Sequence, residues 1–379
     1  MKKTIKLWVY SVFRYISRLF WILPLQNKVI ISSYRGKGYC DNPKYIIEEL
    51  VNDKRIEADI CCVVKDLSIE VPSYIRKVKK NTIFEIYEYA TAKLLINNTR
   101  FPLYIQKRKN QIYIATWHGG FSLKKIGMAM QDIDSIGIAS VKHDAETADL
   151  MISNSAFCTE MYRRDFLYYG DVLEVGSPRL DSLFSNSNKK EILQKLGIDS
   201  QKKIAMYAPT FRDDGNLTVY DIDYFRIKVA LETRFGGEWV ILVRFHPNMS
   251  TYSESMKYSN WLINATIIPD IYDVIKVLDC MISDYSSIGL EYSILGKPLF
   301  LYVKDLETYQ AERGLYFRIE ELPFPIAKSN DELVKIILDY SDDGYKTKVN
   351  KWLKDIGCKE MGIASREVAR YIYDRITFS

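Results

Sequence analysis

Histidine is scarce in this chain, three in 379 residues, too few for the clusters that usually hold catalytic zinc. The six cysteines (Cys40, Cys61, Cys62, Cys158, Cys280, Cys358) show no C-x-x-C spacing, and two of them are adjacent. The start of the chain has no apolar core followed by a small-residue cleavage site, so these cysteines read as reduced, mostly buried thiols of a cytosolic protein. No metal site is expected; Mg²⁺ is permitted but not demanded. Internal repeats and low-complexity tracts are missing, which argues against solenoids and long linkers. A net charge of only +5, with no basic stripe interleaving aromatic residues, argues against nucleic acid as a partner. Apolar residues at 47% and charged residues at 27% describe a globular protein, long enough for two domains.

Residues 1–27 stand apart. Ile5, Trp8, Val9, Val12, Phe13, Ile16, Leu19, Phe20 and Leu23 follow helical spacing, with Lys3, Lys6, Tyr10, Arg14, Ser17 and Arg18 opposite. Pro24 ends the segment. Arg14 and Arg18 interrupt it too early for a membrane span. The pattern predicts a basic amphipathic helix on the membrane surface, apolar side inserted and cations toward headgroups. Its rival is a helix that packs its apolar side on the protein itself.

From Lys28 onward, short apolar runs alternate with amphipathic stretches. Expected strands in residues 28–185 include 28–32, 58–64, 93–96, 111–116, 150–153 and 172–175. In residues 186–379 they include 203–207, 239–243, 266–268, 280–283 and 298–302. Helices fit between them, as at 43–52, 155–167, 221–235, 272–278, 288–295 and 331–340. A polar stretch at 185–190 marks the hinge, and a last helix over 364–375 could cross back to the first domain. This rhythm predicts an α/β fold of two doubly wound, Rossmann-like domains facing one cleft.

Chemistry gathers at the carboxyl ends of the expected strands, where α/β folds bind ligands. In the first domain His118 follows a strand, between Trp117 and the chain-turning Gly119 and Gly120. Gly176-Ser177-Pro178-Arg179 supplies an arginine near the domain junction. In the second domain, one strand leads into Pro209-Thr210-Phe211-Arg212 and the next into Arg244-Phe245-His246-Pro247. A third leads into Ser283-Asp284-Tyr285-Ser286-Ser287, then Gly289 and Glu291. Ser286 and Ser287 begin a helix, whose free N–H groups and hydroxyls suit an anion. Asp284 is placed to orient a serine or cap that helix, and Glu291 to reach a ribose hydroxyl. With Arg212, Arg244 and His246 these residues predict a diphosphate pocket. Lys124-Lys125 read as surface charge, and His143 as a surface residue.

Taken in order, these pieces resemble the CDP-glycerol glycerophosphotransferase family, the teichoic acid primases and polymerases, from about Asp41 to Phe317. Asp41-Asn42-Pro43-Lys44, Lys124-Lys125-Ile126-Gly127 and Gly296-Lys297-Pro298 extend the match. The resemblance implies a GT-B fold and transfer of a polyol phosphate from a CDP-activated donor, such as CDP-glycerol, to a hydroxyl of a membrane-linked acceptor. That acceptor would be a lipid-linked teichoic acid linkage unit or a capsule intermediate. It also implies a catalytic role for His118 and donor contacts from Arg179, Pro209, Thr210, Arg244, His246, Ser286, Ser287 and Glu291. Two departures leave the polyol open between glycerol, ribitol and others. Gly120-Phe121 stands where many members have Thr-Pro, and Glu291 where aspartate is common.

A general base with a pKa near 6.5 suits proton removal at neutral pH, which predicts His118 as base. The rival readings are a GT-B glycosyltransferase using a nucleotide-sugar and a non-catalytic, membrane-associated nucleotide-binding protein.

Overall fold

In the computed structural model the described residues are 3–53, 57–185, 189–212, 215–268 and 270–376. The expected hinge therefore lies partly outside them. The chain forms two compact units: unit 1 comprises residues 1–120, 126–181 and 358–379, and unit 2 comprises 121–125 and 182–357. It thus passes from one unit to the other four times.

Unit 1 is built on seven strands: β1 (Gln26–Ser32), β2 (Asp59–Val64), β3 (Ile75–Lys79), β4 (Ala92–Asn97), β5 (Ile112–Ala115), β6 (Leu150–Ser153) and β7 (Asp171–Glu174). They pair in the order β3-β2-β1-β4-β5-β6-β7, every pairing parallel. Burial on both faces accounts for the Val/Ile/Leu-rich strands. Unit 2 has β8 (Lys203–Ala208), β9 (Trp239–Val243), β10 (Leu262–Asn264), β11 (Cys280–Ser283), β12 (Leu299–Tyr302) and β13 (Ile326–Ala327), in the order β10-β9-β8-β11-β12-β13. Both are doubly wound sheets whose order reverses once, between β1 and β4 and between β8 and β11. Those switch points are where such sheets open for ligands.

The expected strand at 266–268 is instead a turn, and pairing falls four residues earlier at Leu262–Asn264. β3 escaped the sequence reading because Arg76 and Lys77 break its apolar pattern at the sheet edge. His143, expected at the surface, is buried, its Nε2 3.1 Å from the Ile105 carbonyl. A polar stretch need not be an exposed one when its side chains find backbone partners.

The helix Ala364–Tyr373 belongs to unit 1, where Val368, Ala369 and Ile372 join the core against Ile46, Ile47 and Leu50 of helix α2 (Asp41–Asn52). The segment before it is tied down at several points. Lys359 N–H donates to the Asn154 carbonyl (2.8 Å), and the Ala364 and Ser365 N–H groups donate to Asp181 (2.9 and 2.6 Å). The Ser177 N–H reaches both Glu360 oxygens, at 3.1 and 3.0 Å.

Helix α1 (Lys3–Leu19) docks in an unexpected sense. Arg14 donates to the Leu103 carbonyl (3.1 and 2.8 Å), Gln106 N–H to Ser17 Oγ (3.1 Å), and Tyr10 packs on Tyr104. Part of the polar side thus faces the protein. Ile5, Trp8, Val12, Tyr15, Leu19 and, just beyond the helix, Ile22 form an exposed stripe, with Trp8 at 68% and Ile22 at 88%. Their steps of three and four residues keep them on one side. Val9, Ile16, Phe20 and Leu23 are half-buried, so only part of the apolar set packs inward. Among the described residues no helix is long and apolar enough to cross a membrane.

Burial pushes the Glu360 carboxyl up to about 8, against the pull of the Ser177 N–H, Asn154 and Arg179. A raised folded pKa gives stability that is full below the ordinary value of 4.5 and lost as pH climbs through 8. Urea unfolding of wild type should therefore weaken from pH 5 to pH 8, at roughly 1.4 kcal/mol per unit at most. Glu360→Gln should remove that slope; parallel profiles would refute the assignment.

Candidate active site

The unit 1 site gathers on loops at the carboxyl edge of its sheet. Trp117 and His118 follow β5, Asn98 follows β4, and Tyr34 follows β1. Tyr34 (φ 46°), Asp41 (φ 61°) and Trp117 (φ 52°) all adopt left-handed backbone, which costs a bulky residue on the order of 1–3 kcal/mol and concentrates at functional sites. The surroundings hold the loops there. Asp41 is buried and accepts from the Tyr34 hydroxyl (2.6 Å), the Asn42 N–H (2.7 Å) and Arg179 Nη1 (3.3 Å). Arg179 N–H donates to Asn42 Oδ1 (3.0 Å), and Asn42 Nδ2 donates to the Trp117 carbonyl (3.0 Å). Arg100 lies over Phe166 and the Trp117 ring while pairing with Asp144. Gly120 is buried, and a Cβ there would lie 2.3 Å from the Asn154 amide.

His118 Nδ1 lies 2.6 Å from the Asn98 carbonyl. A carbonyl only accepts, so Nδ1 carries the hydrogen and Nε2 keeps its lone pair. Burial lowers the pKa of the imidazole below its ordinary 6.5, outweighing the pull of Asp41 and the Asn98 contact. The ring is neutral at pH 7 with one basic nitrogen, as a proton acceptor requires.

Unit 2 carries the other candidates around its switch point. Asp284, after β11, accepts from the Thr210 N–H (2.8 Å) and Arg212 Nη2 (2.9 Å), both after β8. It therefore neither caps the next helix nor orients a serine, as the sequence had suggested. Ser286 is the N-cap of the helix Ser287–Tyr292 and makes no side-chain capping bond. Gly289 lets this helix pack closely on the strand, since a Cβ would meet Ser283 Cβ at 3.1 Å. Buried Thr210 Oγ1 has no hydrogen-bond partner among the described residues, and Pro209 beside it is buried.

Arg212, expected on the diphosphate, is buried and occupied. It bonds Asp284, Asp305 (2.6 Å) and the Thr210 carbonyl (2.6 Å), and packs on the stacked Tyr285–Tyr309 pair. Arg179 is likewise buried, on Asp41. Glu291 is buried and accepts from the Tyr272 hydroxyl (2.8 Å). Arg244 Nη1 donates to the Ala265 (2.8 Å) and Ile268 (2.7 Å) carbonyls, shaping the loop after β10. His246 is exposed, and its Nδ1 accepts from the Asn248 N–H (3.2 Å). A neutral His246 therefore carries its hydrogen on Nε2, the reverse of His118.

Lys124 reads differently in the structure. It pairs with Leu315 through an isolated bridge and is half-buried rather than a surface charge. Burial lowers its ammonium to about 8, with Asp284 opposing and Arg212 and Arg313 adding to the fall. Sequence reasoning named Asn42 only within the Asp41–Lys44 match, without a role, and missed Asn98, whose only signal is its position at a strand end. No group of three or more His, Cys, Asp or Glu suited to a metal occurs among the described residues. The Asp-x-Asp pairs end in helix caps instead, Asp134 bonding Gly137 N–H and Asp223 bonding Arg226 N–H.

The family CDP-Glycerol:Poly(glycerophosphate) glycerophosphotransferase matches residues 15–374. A teichoic acid poly(glycerol phosphate) polymerase of Staphylococcus epidermidis is 32% identical over 92% of this chain, which spans about half (50%) of that protein. A teichoic acid glycerol-phosphate transferase of Staphylococcus aureus is 28% identical, covering 98% of each chain. Among solved structures, a variant of the wall teichoic acid polymerase TagF superposes with TM-score 0.83 at 28% identity, covering 98% of this chain and 96% of that one. A form of that polymerase soaked with CDPG gives 0.82.

Arg212→Met would strand Asp284 and Asp305, and losing one partner of a buried pair costs about 3–5 kcal/mol. Urea denaturation should show a loss of that size, only partly recovered by Arg212→Lys, which lacks the planar fork. An unchanged midpoint for Arg212→Met would exclude this strut.

Proposed function

Because the chain belongs to the CDP-glycerol:poly(glycerophosphate) glycerophosphotransferase family, we propose that it transfers glycerol phosphate from CDP-glycerol to a hydroxyl of a lipid-linked acceptor in teichoic acid synthesis. The observation that carries this reading is the state of His118, whose Nε2 keeps a lone pair while Nδ1 is committed to the Asn98 carbonyl. A displacement at phosphorus needs such a base for the incoming hydroxyl, together with donors for the phosphate oxygens.

The reaction is a single in-line step. His118 Nε2 takes the proton of the acceptor hydroxyl as its oxygen bonds the phosphorus carrying glycerol. The bond from that phosphorus to the bridging oxygen breaks, and CMP leaves with the electron pair. Unit 2 holds the donor: His246 and the Thr210, Ser286 and Ser287 hydroxyls meet the phosphates, and Glu291 with Tyr272 lies toward the ribose. Arg244, Arg212 and Asp284 shape these loops, as Arg179 and Asp41 shape those around His118. Charge neutralisation by fixed donors is the main aid such transfers need. The exposed stripe of α1 lies on the membrane surface, with the exposed Arg18 among anionic headgroups, on the cytoplasmic side where a nucleotide-activated donor is made.

CMP release from CDP-glycerol and CDP-ribitol, side by side with a lipid-linked acceptor, tests the reading. Acceptor-dependent CMP from CDP-glycerol supports it, and turnover of UDP-sugars alone refutes it. His118→Ala should lower turnover roughly 10²–10⁴-fold with donor binding unchanged, whereas His246→Ala should raise the KM for donor. The acid limb of kcat/KM should fall below pH 6.5, since the base stays neutral to lower pH than an ordinary histidine. A limb above 6.5 would point to another base. For the membrane, replacing Trp8 and Leu19 together by serine should abolish sedimentation with phosphatidylglycerol vesicles yet spare turnover of a water-soluble acceptor. Undiminished sedimentation would remove the stripe from the membrane.

A further inference from the structure

A cavity of about 180 Å³ lies within unit 1 between α1 and helix α3 (Ile83–Thr91). Val9, Tyr10 and Phe13 wall it on one side and Ile83 and Ile86 on the other, with Tyr104, Asn81 and Thr82 completing it. No lining residue is charged, and several polar groups point back into the protein. The Tyr104 hydroxyl lies 3.0 Å from Glu85 Oε1 and 3.2 Å from Asn81 Oδ1, and Thr82 Oγ1 donates to the Lys79 carbonyl (2.6 Å). An apolar cavity of about 150 Å³ accepts a benzene-sized guest. This one fits a short stretch of hydrocarbon.

Three observations say which hydrocarbon. Two of its walls are themselves wet: Phe13 and Ile83 are exposed, and Phe84 beside them is 70% exposed. The cavity is therefore continuous with apolar surface on α1. That helix has no acidic residue, and although Arg14 is held on the Leu103 carbonyl and Lys3 pairs with Asp134, Lys6 and Arg18 leave it net basic, so a chain ending in phosphate meets complementary charge. Lastly, Asn81 and Thr82 lie just past the end of β3, so one end of the cavity is at the carboxyl edge of the unit 1 sheet, the edge that carries Asn98 and His118. Four strand steps separate β3 from β5, on the order of 20 Å.

We propose that this cavity holds the hydrocarbon chain of the lipid-linked acceptor, presenting its headgroup along the sheet edge toward His118. The inference rests on the transferase reading and adds a chain-recognition site to it. Bulk phospholipid is served by the exposed stripe, and the acceptor alone has reason to be gripped on the His118 edge.

Val9→Trp and Ile86→Phe fill the cavity from opposite walls, so one misfolded variant leaves the other to test it. In the full-length protein, either should raise KM for a long-chain lipid acceptor about tenfold, the loss of roughly two buried methylenes. KM for the same headgroup on a butyl chain, and sedimentation with phosphatidylglycerol vesicles, should not change. Equal effects on long and short acceptors, no effect on either, or loss of vesicle binding in both variants would overturn the proposal. Calorimetry with dodecyl phosphate against butyl phosphate reads the cavity without turnover. Tighter dodecyl binding that the filled variants lose supports a chain site, and equal binding of the two overturns it. Should wild type release no CMP with any acceptor, the transferase reading fails by itself, and calorimetry still reports on the cavity.

Discussion

A carboxylate buried in an α/β interior must be answered by a cation and by hydrogen bonds, or the fold loses several kcal/mol. Each unit meets this demand at its sheet switch point. In unit 1 Asp41 is met by Arg179, and in unit 2 Asp284 is met by Arg212. Both pairs then fix a neighbouring loop through a backbone N–H or an amide. Asn42 passes the first constraint to the Trp117 carbonyl, and Thr210 N–H receives the second. The loops that carry His118, Thr210 and Ser286 are held by these knots more than by their own sequence.

This arrangement explains why charge alone misleads in such a site. Two arginines that a sequence reader assigns to a diphosphate are already engaged, whereas a lysine dismissed as surface charge is half-buried beside Asp284. Histidine polarity is the better guide. Each ring faces a backbone group that can act in only one way, so one nitrogen is committed and the other's character follows.

Most of the fold was legible in the sequence. Alternating apolar runs and amphipathic stretches gave both parallel sheets, because strands buried on two faces leave continuous Val/Ile/Leu runs. The failures have physical causes. β3 sits at a sheet edge and exposes the adjacent Arg76 and Lys77, and at 262–268 the apolar run continues past the paired residues into a turn. The docking of α1 was hidden for a different reason. A helical wheel separates Arg14 and Ser17 from the apolar set but cannot say that the Leu103 carbonyl and the Gln106 N–H wait for them. The loop motifs marked the right sheet edges. The division of labour within them, from Asn98 as orienter to Arg212 as strut, depends on contacts across 20 to 93 residues of chain.

The return of residues 358–379 to unit 1 bears on how the protein comes off the ribosome. Domains usually fold in the order they are translated. Here the first unit exposes the surface that Val368, Ala369 and Ile372 will cover until nearly the whole of the second has been made. A nascent chain paused anywhere in unit 2 therefore displays an apolar face over α2 and lacks the carboxylate that Ser177 awaits. Folding of this chain should therefore lean on chaperones until residues 358–376 have been made.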